Sequence, residues 1–172
     1  MSAARIRLEP LAVAHLDGVR ALVEDAETLR FTRVPVPTPP DFAEGWLGAY
    51  EDGRRDGTRE AFAIVDGAGD FLGVALAPTI EREAATVELG YVVAPAARGH
   101  GVATEALRLL TQWAFETLRA VRLELVISVD NEPSKRVAER CGYTREGVLR
   151  SVYVKPGVRE DVELWSRLAT DP

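Results

Sequence analysis

Cysteine and histidine are scarce in this chain of 172 residues. Cys141 is the only cysteine, so no internal disulfide can form, and His15 and His100 are the only histidines. Zinc sites draw most of their ligands from these two residue types. We therefore expect neither a disulfide framework nor a metal centre.

Long apolar runs and clustered basic charge are also missing. No segment approaches the roughly 18 apolar residues that a membrane helix needs, and the opening MSAARIRLEP lacks the apolar centre of a signal peptide. The formal net charge of −6 disfavours nucleic acid, because phosphate neutralisation requires clusters of Lys and Arg. We expect a cytoplasmic protein without membrane contact. On charge alone, a cationic partner would suit it better.

Composition and hydrophobic periodicity predict one α/β (α+β) domain over residues 1–172. With 47% hydrophobic and 28% charged residues, the chain is large enough for a single core and cramped for two. A strand at 4–8 precedes a helix that ends near Arg30. In the proline-rich stretch that follows, Thr38 is the expected N-cap of a second helix, with a proline at its first position and Asp41 completing a capping box.

The rest of the chain alternates strands and helices. The segments AFAIVD and FLGVALAPT around the turn GAGD predict a hairpin, and AATVELGYVV predicts a third antiparallel strand. A helix of about four turns is predicted from Val102, followed by the strand VRLELVIS. Asn131 is the expected N-cap of a short helix that ends at Gly142, and YTREGVLRSVYV with REDVELWSRL predicts a closing hairpin.

The segment VVAPAARGHGVA links a strand to a helix through a short loop with two glycines. Unpaired N–H groups at a helix N-terminus attract anions, and Gly99 and Gly101 would let an anion approach the backbone. The spacing fits neither a P-loop, which requires GxxxxGK[ST], nor a dinucleotide fingerprint, which requires a third glycine in place of Thr104. A tight turn with a packing glycine is the alternative.

The same segment resembles the acetyl-CoA-binding signature of the GNAT acetyltransferases, in which R/Q-x-x-G-x-G/A follows a strand ending in V-x-P. The matching residues here are Val93, Pro95, Arg98, Gly101 and Ala103. ELGYVVAPAARGHGVATEAL, NEPSKRVAERCGY and REDVELWSRL further resemble the RimJ/RimL-like branch, the ribosomal-protein N-alpha-acetyltransferase type. The likeness covers nearly the whole chain. It implies a GNAT fold, a mixed and mostly antiparallel sheet of six to seven strands flanked by about four helices.

The resemblance implies acetyl-CoA as co-substrate, without a metal, and assigns residues to it. Backbone N–H groups would hold its pyrophosphate, namely those of Arg98, Gly99, His100, Gly101, Val102, Ala103 and Thr104. The pantetheine arm would add to the strand edge at Tyr91, Val92 and Val93, and the Asn131 side chain would reach its amide. Two of these residues have structural alternatives, Arg98 as a solvated surface arginine and Asn131 as a plain helix cap.

Two side chains are candidates for the chemistry. Glu88 lies where the family often carries an acid and would take the proton of the attacking amine, with a solvent-facing or structural glutamate as the alternative. Ser134 lies where the RimL-like branch has a serine proposed to help the thiolate leave, or it bonds its own backbone at the helix start. The tyrosine that many GNAT enzymes use for that step is absent, because its position is Ala138.

Several further residues are assigned by position. Three are expected in the core: Cys141, Trp113 and Trp165. The first two helices border the acceptor groove in the family, which gives four candidates for substrate contact: Phe31, Arg33, Trp46 and Tyr50. Core packing is the alternative for Trp46. Glu160 and Asp161 lie in the closing hairpin near the expected acceptor end, with a structural salt bridge as the alternative.

Taken together, the motifs predict an N-acetyltransferase that moves acetyl from acetyl-CoA to an amine by direct attack on the thioester. The resemblance favours the N-terminal α-amine of a protein or peptide as the acceptor. The alternatives are a small amine, such as a polyamine or an antibiotic, and a catalytically weak acyl-CoA-binding module. Pairing of strand edges or of hairpins would give a homodimer, and no pattern favours either.

Overall fold

The chain builds one sheet with helices on both faces. The computed structural model describes residues 5–172, and within that range there are seven strands and five α-helices. The strands are β1 (Ile6–Pro10), β2 (Glu60–Asp66), β3 (Phe71–Glu81), β4 (Thr86–Val93), β5 (Arg122–Ser128), β6 (Thr144–Lys155) and β7 (Val158–Leu168). The helices are α1 (Leu16–Leu22), α2 (Ala26–Phe31), α3 (Phe42–Asp56), α4 (Val102–Thr117) and α5 (Glu132–Arg140).

The sheet is mixed and mostly antiparallel, with the spatial order β1-β2-β3-β4-β5-β7-β6. Neighbouring strands run antiparallel except β4 and β5, which run parallel. The expected fold class is therefore confirmed. Among residues 5–172 the strand count is the upper of the two expected, and there is one helix more than the four expected.

The additional helix arises from a break in the first helical segment. The segment predicted as one helix ending near Arg30 forms α1 and α2, so that prediction is wrong. Asp25 leaves the helical conformation and N-caps α2, its Oδ2 accepting a 2.8 Å bond from the Thr28 N–H. An aspartate inside an apolar helical pattern can thus restart the helix, because its side chain competes for backbone N–H groups.

The predicted cap of the second helix is also wrong. Helix α3 begins at Phe42 with Asp41 at the N-cap, and the Asp41 side chain makes no capping bond. Thr38 instead donates its hydroxyl to the Pro35 carbonyl at 2.9 Å, inside the proline-rich loop. Residues that precede a proline are disfavoured in the α region, and both Thr38 and Pro39 precede one. Consecutive prolines therefore delay the helix start.

The other predicted elements are confirmed. The strand expected at 4–8 corresponds to β1, which runs from Ile6 to Pro10. Residue 4 of the expected range lies outside the described residues. Helix α4 begins at Val102 and runs for 16 residues. Asn131 N-caps α5, and Gly142 beyond its end has φ +76°, a left-handed conformation that glycine adopts without steric cost.

Apolar side chains form a separate cluster on each face of the sheet. Helices α4 and α5 cover one face, where Leu107, Leu110 and Leu123 are fully buried. Helices α1 and α3 cover the other, where Val19 and Leu47 belong to the second cluster. Burying an aliphatic side chain contributes about 1.5–3 kcal/mol, so both clusters hold the central strands in place. Two of the expected core residues are buried, Cys141 and Trp165, and Trp113 packs partly buried against the first cluster.

The parallel strands β4 and β5 separate halfway along their length. They are paired at only three positions, the last of which joins Glu88 to Glu124. Beyond it, β5 continues to pair with β7, while β4 continues to pair with β3 as far as Val93. The second half of β4 therefore has an edge without a neighbouring strand.

Candidate active site

A cavity of about 500 Å³ opens where β4 leaves β5. The end of β4, the loop after it and the start of α4 form one side, and α5 and α2 form the others. Its lining includes most of the residue set predicted to bind acetyl-CoA: Tyr91, Val92, Val93, Arg98, Gly99, Gly101, Val102, Ala103, Thr104 and Asn131. Ser134, predicted to help the thiolate leave, lines it too. Distant parts of the sequence thus meet in one place.

Free backbone N–H groups converge in the loop before α4. Gly99 and Gly101 have φ +77° and +80°, and from Gly99 to Thr104 the backbone N–H groups find no acceptor among the described residues. A Cβ at either glycine would meet no atom within 4 Å, so side chains there would project into open space that a ligand can use. N–H groups of this kind at the positive end of a helix bind anions.

Arg98 differs from the rest of the loop. Its N–H closes the preceding turn on the Pro95 carbonyl at 3.3 Å. Its guanidinium donates to Asp25 at 2.6 Å and to the Val93 carbonyl at 3.1 Å, and it lies 3.3 Å from a Glu27 carboxylate oxygen. Protein groups therefore already contact all three nitrogens of the guanidinium, and a phosphate contact by Arg98 stays a prediction.

His100 folds back on the loop. One nitrogen of its ring, Nδ1, lies 2.7 Å from the Arg98 carbonyl, and its side chain is exposed. This contact stabilises the turn between the two glycines.

The free edge of β4 offers its backbone groups at alternate residues. The Val92 carbonyl points at Gly73 of β3, and the Val93 carbonyl points the opposite way, where it accepts from Arg98. Because backbone groups of successive strand residues alternate in direction, Tyr91 and Val93 face the gap towards β5. Of the three residues predicted to meet a pantetheine arm, Tyr91 presents its N–H and carbonyl to this gap and Val93 presents its N–H, since the Val93 carbonyl already accepts from Arg98. Val92 presents its own backbone groups to β3.

Asn131 has a capping bond and a free amide group. Its Oδ1 accepts from the Ser134 N–H at 3.2 Å, which is the capping arrangement. Among the described residues its Nδ2 has no partner, and the side chain lines the cavity. The two predicted roles are therefore compatible, since the oxygen caps the helix and the nitrogen remains a donor.

The side chain of Tyr91 is a feature that the sequence analysis missed. Its hydroxyl is buried without a hydrogen-bond partner of acceptable geometry among the described residues. Burial raises the pKa of Tyr91 to about 12, and the nearby Ser134 hydroxyl offsets part of this rise. Strand alternation could have indicated its direction, because Leu89, Tyr91 and Val93 share the face under α4. An unpartnered buried hydroxyl costs stability and marks a place where a ligand can supply the partner.

A second cavity of about 430 Å³ lies on the other side of β4. It shares part of its lining with the first cavity: Thr28, Phe31, Thr32, Tyr91 and Val92. All four residues predicted to contact the acceptor line it: Phe31, Arg33, Trp46 and Tyr50. The rings of Trp46 and Tyr50 meet edge to face with centroids 4.9 Å apart, which makes one wall aromatic.

Glu88 places a carboxylate in this second cavity. Its Oε1 lies 3.3 Å from a nitrogen of Arg33, and its Oε2 accepts from the Thr79 hydroxyl at 3.5 Å. Only about a fifth of the side chain is exposed. Since Glu88 is also the last position where β4 pairs with β5, the carboxylate stands beside the point where the strands separate.

Two other acids of the predicted set have structural contacts. Asp161 accepts from the Ser151 N–H at 2.7 Å within the closing hairpin, and Glu160 pairs with Tyr153 in the β-ladder. Neither lines the cavities. Cys141 donates to the Thr104 carbonyl at 3.5 Å, and burial raises the pKa of its thiol, which disfavours a nucleophilic role.

Two adjoining cavities therefore meet at β4, one lined by the glycine loop before α4 and the other by the carboxylate of Glu88. The chain belongs to the GNAT acetyltransferase family, since the family model described as "Acetyltransferase (GNAT) domain" matches residues 5–144. The protein is accordingly an N-acetyltransferase that uses acetyl-CoA, as the sequence predicted.

Curated relatives agree with this assignment. The chain is 32% identical to the putative ribosomal N-acetyltransferase YdaF of Bacillus subtilis over 83% of its own length and 70% of the relative's. It is 35% identical to the probable N-acetyltransferase YjcK of the same organism over 57% of its length, and spans only 54% of that relative. The ribosomal relative supports the RimJ/RimL-like branch.

Solved structures share the fold over nearly the whole chain. Spermidine N-acetyltransferase from Vibrio cholerae, in complex with CoA and spermine, superimposes with a TM-score of 0.85, 19% identity and 96% coverage of both chains. RimL, the ribosomal L7/L12 alpha-N-protein acetyltransferase in complex with coenzyme A, has a TM-score of 0.85, 21% identity and coverage of 97% and 95%. At these identities the likeness shows the fold alone.

Within residues 5–172, no helix is long and apolar enough to span a membrane. No group of three or more His, Cys, Asp or Glu side chains in the same range is arranged to hold a metal ion.

Proposed function

We propose that this enzyme transfers the acetyl group of acetyl-CoA to the N-terminal α-amine of a protein or peptide. The observation that carries the proposal is the junction of the two cavities at Tyr91 and Val92 of β4. One cavity has anion-binding N–H groups and the other has a carboxylate. An acyl donor in the first and an amine in the second would meet at this strand.

The first cavity supplies binding and orientation. The N–H groups from Gly99 to Thr104 take the pyrophosphate, with the dipole of α4 behind them. The free edge of β4 at Tyr91 and Val93 hydrogen-bonds the pantetheine arm like an added strand, and Nδ2 of Asn131 donates to the same arm. Holding the thioester against the amine in this way is itself a large part of the rate enhancement.

The second cavity supplies the proton acceptor. When a neutral amine attacks the thioester carbonyl, a C–N bond forms, the C–S bond breaks, and the nitrogen loses one proton. Glu88 takes that proton directly or through one water. A backbone N–H at the free edge of β4 polarises the carbonyl, and the Ser134 hydroxyl, on the far side of the reacting carbon, hydrogen-bonds the departing sulfur.

The acceptor assignment draws on the relatives and on the shape of the second cavity. YdaF is named as a putative ribosomal N-acetyltransferase, and the RimL of the solved structure is named as an alpha-N-protein acetyltransferase. The cavity in this chain has aromatic walls, which suits an amine attached to a short peptide backbone.

The experiment is acetyl transfer from acetyl-CoA to a panel of peptides, with free thiol release as the assay and mass spectrometry to locate the acetyl group. Each peptide is matched to a copy whose α-amine is blocked and whose lysine is free. We expect transfer to the unblocked copies alone. Transfer to blocked copies or only to small amines would overturn the acceptor assignment, and binding without turnover would indicate an acyl-CoA-binding module.

A further inference from the structure

The charge of the acceptor cavity differs in sign from that of the whole chain. The formal net charge of the chain is −6, but among the described residues the charged side chains lining the second cavity are Arg33, Arg59 and Glu88. Their sum is +1. The electrostatic preference of the site therefore cannot be taken from the composition, because short-range charges dominate inside a cavity lined by apolar side chains.

The two arginines are placed differently. Arg33 pairs with Glu88 at 3.3 Å and lies 5.9 Å from the ring centroid of Tyr153. Arg59 has no carboxylate within 4.0 Å among the described residues. It lies in the loop between α3 and β2, near enough to Tyr50 for its charge to oppose the rise in the Tyr50 pKa that burial causes. Among the described residues that line this cavity, Arg59 is therefore the arginine whose charge has no carboxylate partner.

Aromatic side chains line the cavity beside the two arginines: Phe42, Trp46, Tyr50 and Tyr153. Both arginines are exposed, so a ligand in the cavity can reach their guanidinium groups. A polycation would meet Arg59 and Arg33 with a single carboxylate to offset them. If the acceptor molecule also carries a carboxylate, the two oxygens of that carboxylate can accept hydrogen bonds from the guanidinium groups of Arg59 and Arg33.

We infer that the acceptor site selects an α-amine whose molecule bears a carboxylate near the amine, and that Arg59, with Arg33, binds this carboxylate. The inference rests on the proposed function and narrows its acceptor. The carboxylate is the side chain of an acidic residue next to the peptide N-terminus.

The pairing of Arg33 with Glu88 leaves Arg33 able to serve a ligand. At 3.3 Å, with Arg33 more than half exposed, the pair is loose enough to exchange partners. Arg33 can therefore turn from Glu88 to the carboxylate of the acceptor.

The test is a comparison of kcat/KM for matched peptides that differ at the second residue, which is Glu, Gln or Lys. We expect the order Glu, Gln, Lys, with about a tenfold step between the first two, as for one charge-assisted hydrogen bond. Arg59→Gln should abolish the Glu preference and Arg59→Lys should keep part of it. Arg55→Gln is the matched control, since Arg55 pairs with Asp52 on the outer surface of α3.

Small acceptors test whether the carboxylate could instead be that of a free amino acid. Free phenylalanine is compared with its amide, which lacks the carboxylate, and spermidine serves as a polycation. If phenylalanine exceeds its amide and every peptide, the carboxylate is that of a free amino acid and the acidic peptide is excluded. If the Lys peptide or spermidine is preferred over the Glu peptide, the inference is wrong. Acetylation of all three peptides at equal rates would also overturn it, although α-amine transfer itself would then stand.

Discussion

The guanidinium of Arg98 and the carboxylate of Asp25 join two parts of the site at an N–O distance of 2.6 Å. The first residue belongs to the anion-binding loop, and the second N-caps α2. At its other end, α2 accepts hydrogen bonds from the side chains of Lys155 and Tyr153 of the closing hairpin. Because α2 lines both cavities, these contacts fix the wall that the two cavities share.

The first prediction concerns the stability that this pair contributes. Arg98→Ala and Asp25→Asn, which keeps a capping oxygen, should each lower the free energy of unfolding by about 1–2 kcal/mol, because each leaves a partly buried charge or acceptor without its partner. The double variant should cost clearly less than the sum. Urea unfolding measures all three. The exposed pair Asp17–Arg20 is the control, with an expected coupling under about 0.5 kcal/mol. Additive losses at Arg98 and Asp25 would contradict the coupling.

The second prediction concerns acid stability. Arg122 donates two bonds to Glu146, at 2.7 and 2.8 Å, and holds the pKa of that carboxyl at about 2, against a usual value of 4.5. A lowered carboxyl pKa stabilises the fold above about pH 4.5, and this contribution is lost as the pH falls towards 2. Since the side chain is 38% exposed, we expect only about 1 kcal/mol.

Urea midpoints between pH 6 and pH 2.5 test this in wild type and Glu146→Gln. The stability difference should be largest near pH 6 and shrink on acidification. Glu51→Gln, on the exposed face of α3, should show no such trend. A difference that is constant with pH would mean that the Arg122 pair does not set the Glu146 pKa.

Local patterns predicted the start of α4 and the cap of α5 correctly, and they did so for a physical reason. The glycine loop, the start of α4 and the Asn131 cap depend on neighbouring residues, so their geometry is encoded within a few positions. The Arg98–Asp25 pair joins residues 73 positions apart, and no periodicity records such a contact. The break between α1 and α2 was missed because apolar residues continue the helical spacing across Asp25. The net charge of the second cavity could not be predicted from the sequence either, because Arg33 and Arg59 are distant in the sequence and meet only in the folded chain.

The third prediction concerns acetyl-CoA binding. Gly101→Glu places a carboxylate where a Cβ would meet open space above the N–H groups, and it should weaken acetyl-CoA binding at least about a hundredfold by blocking and repelling phosphate. Isothermal titration measures this. Gly157→Glu is the control, because Gly157 also has a positive φ, +75°, with no atom within 4 Å of a Cβ, and lies in the β6–β7 turn. If both variants bind acetyl-CoA equally well, the glycine loop is a tight turn and not the site of phosphate binding.

The fourth prediction separates fold from function at Tyr91. Its buried hydroxyl finds no hydrogen-bond partner within residues 5–172, so Tyr91→Phe should leave the free energy of unfolding unchanged or raise it by up to about 1 kcal/mol. Ser134→Ala, which removes the neighbouring hydroxyl, should lower kcat about tenfold to a hundredfold and leave the acetyl-CoA dissociation constant nearly unchanged. Thermal unfolding and steady-state kinetics on the two variants decide this. A Tyr91→Phe protein that unfolds more easily would show that the hydroxyl has a structural partner.

The fifth prediction concerns the proton acceptor. Glu88→Gln keeps the shape and the Thr79 contact of the side chain but cannot take a proton, so kcat should fall about a hundredfold with acetyl-CoA affinity unchanged. Glu124 is directly opposite Glu88 on β5 and is bound to Arg122, which makes Glu124→Gln a matched control with an expected change under about threefold. The kcat of both variants is measured against pH. If Glu88→Gln loses activity equally at all pH values up to 10, where hydroxide is available as another proton acceptor, the carboxylate orients the substrate instead of accepting its proton. A loss that is partly recovered as the pH rises would indicate that Glu88 accepts the proton of the attacking amine.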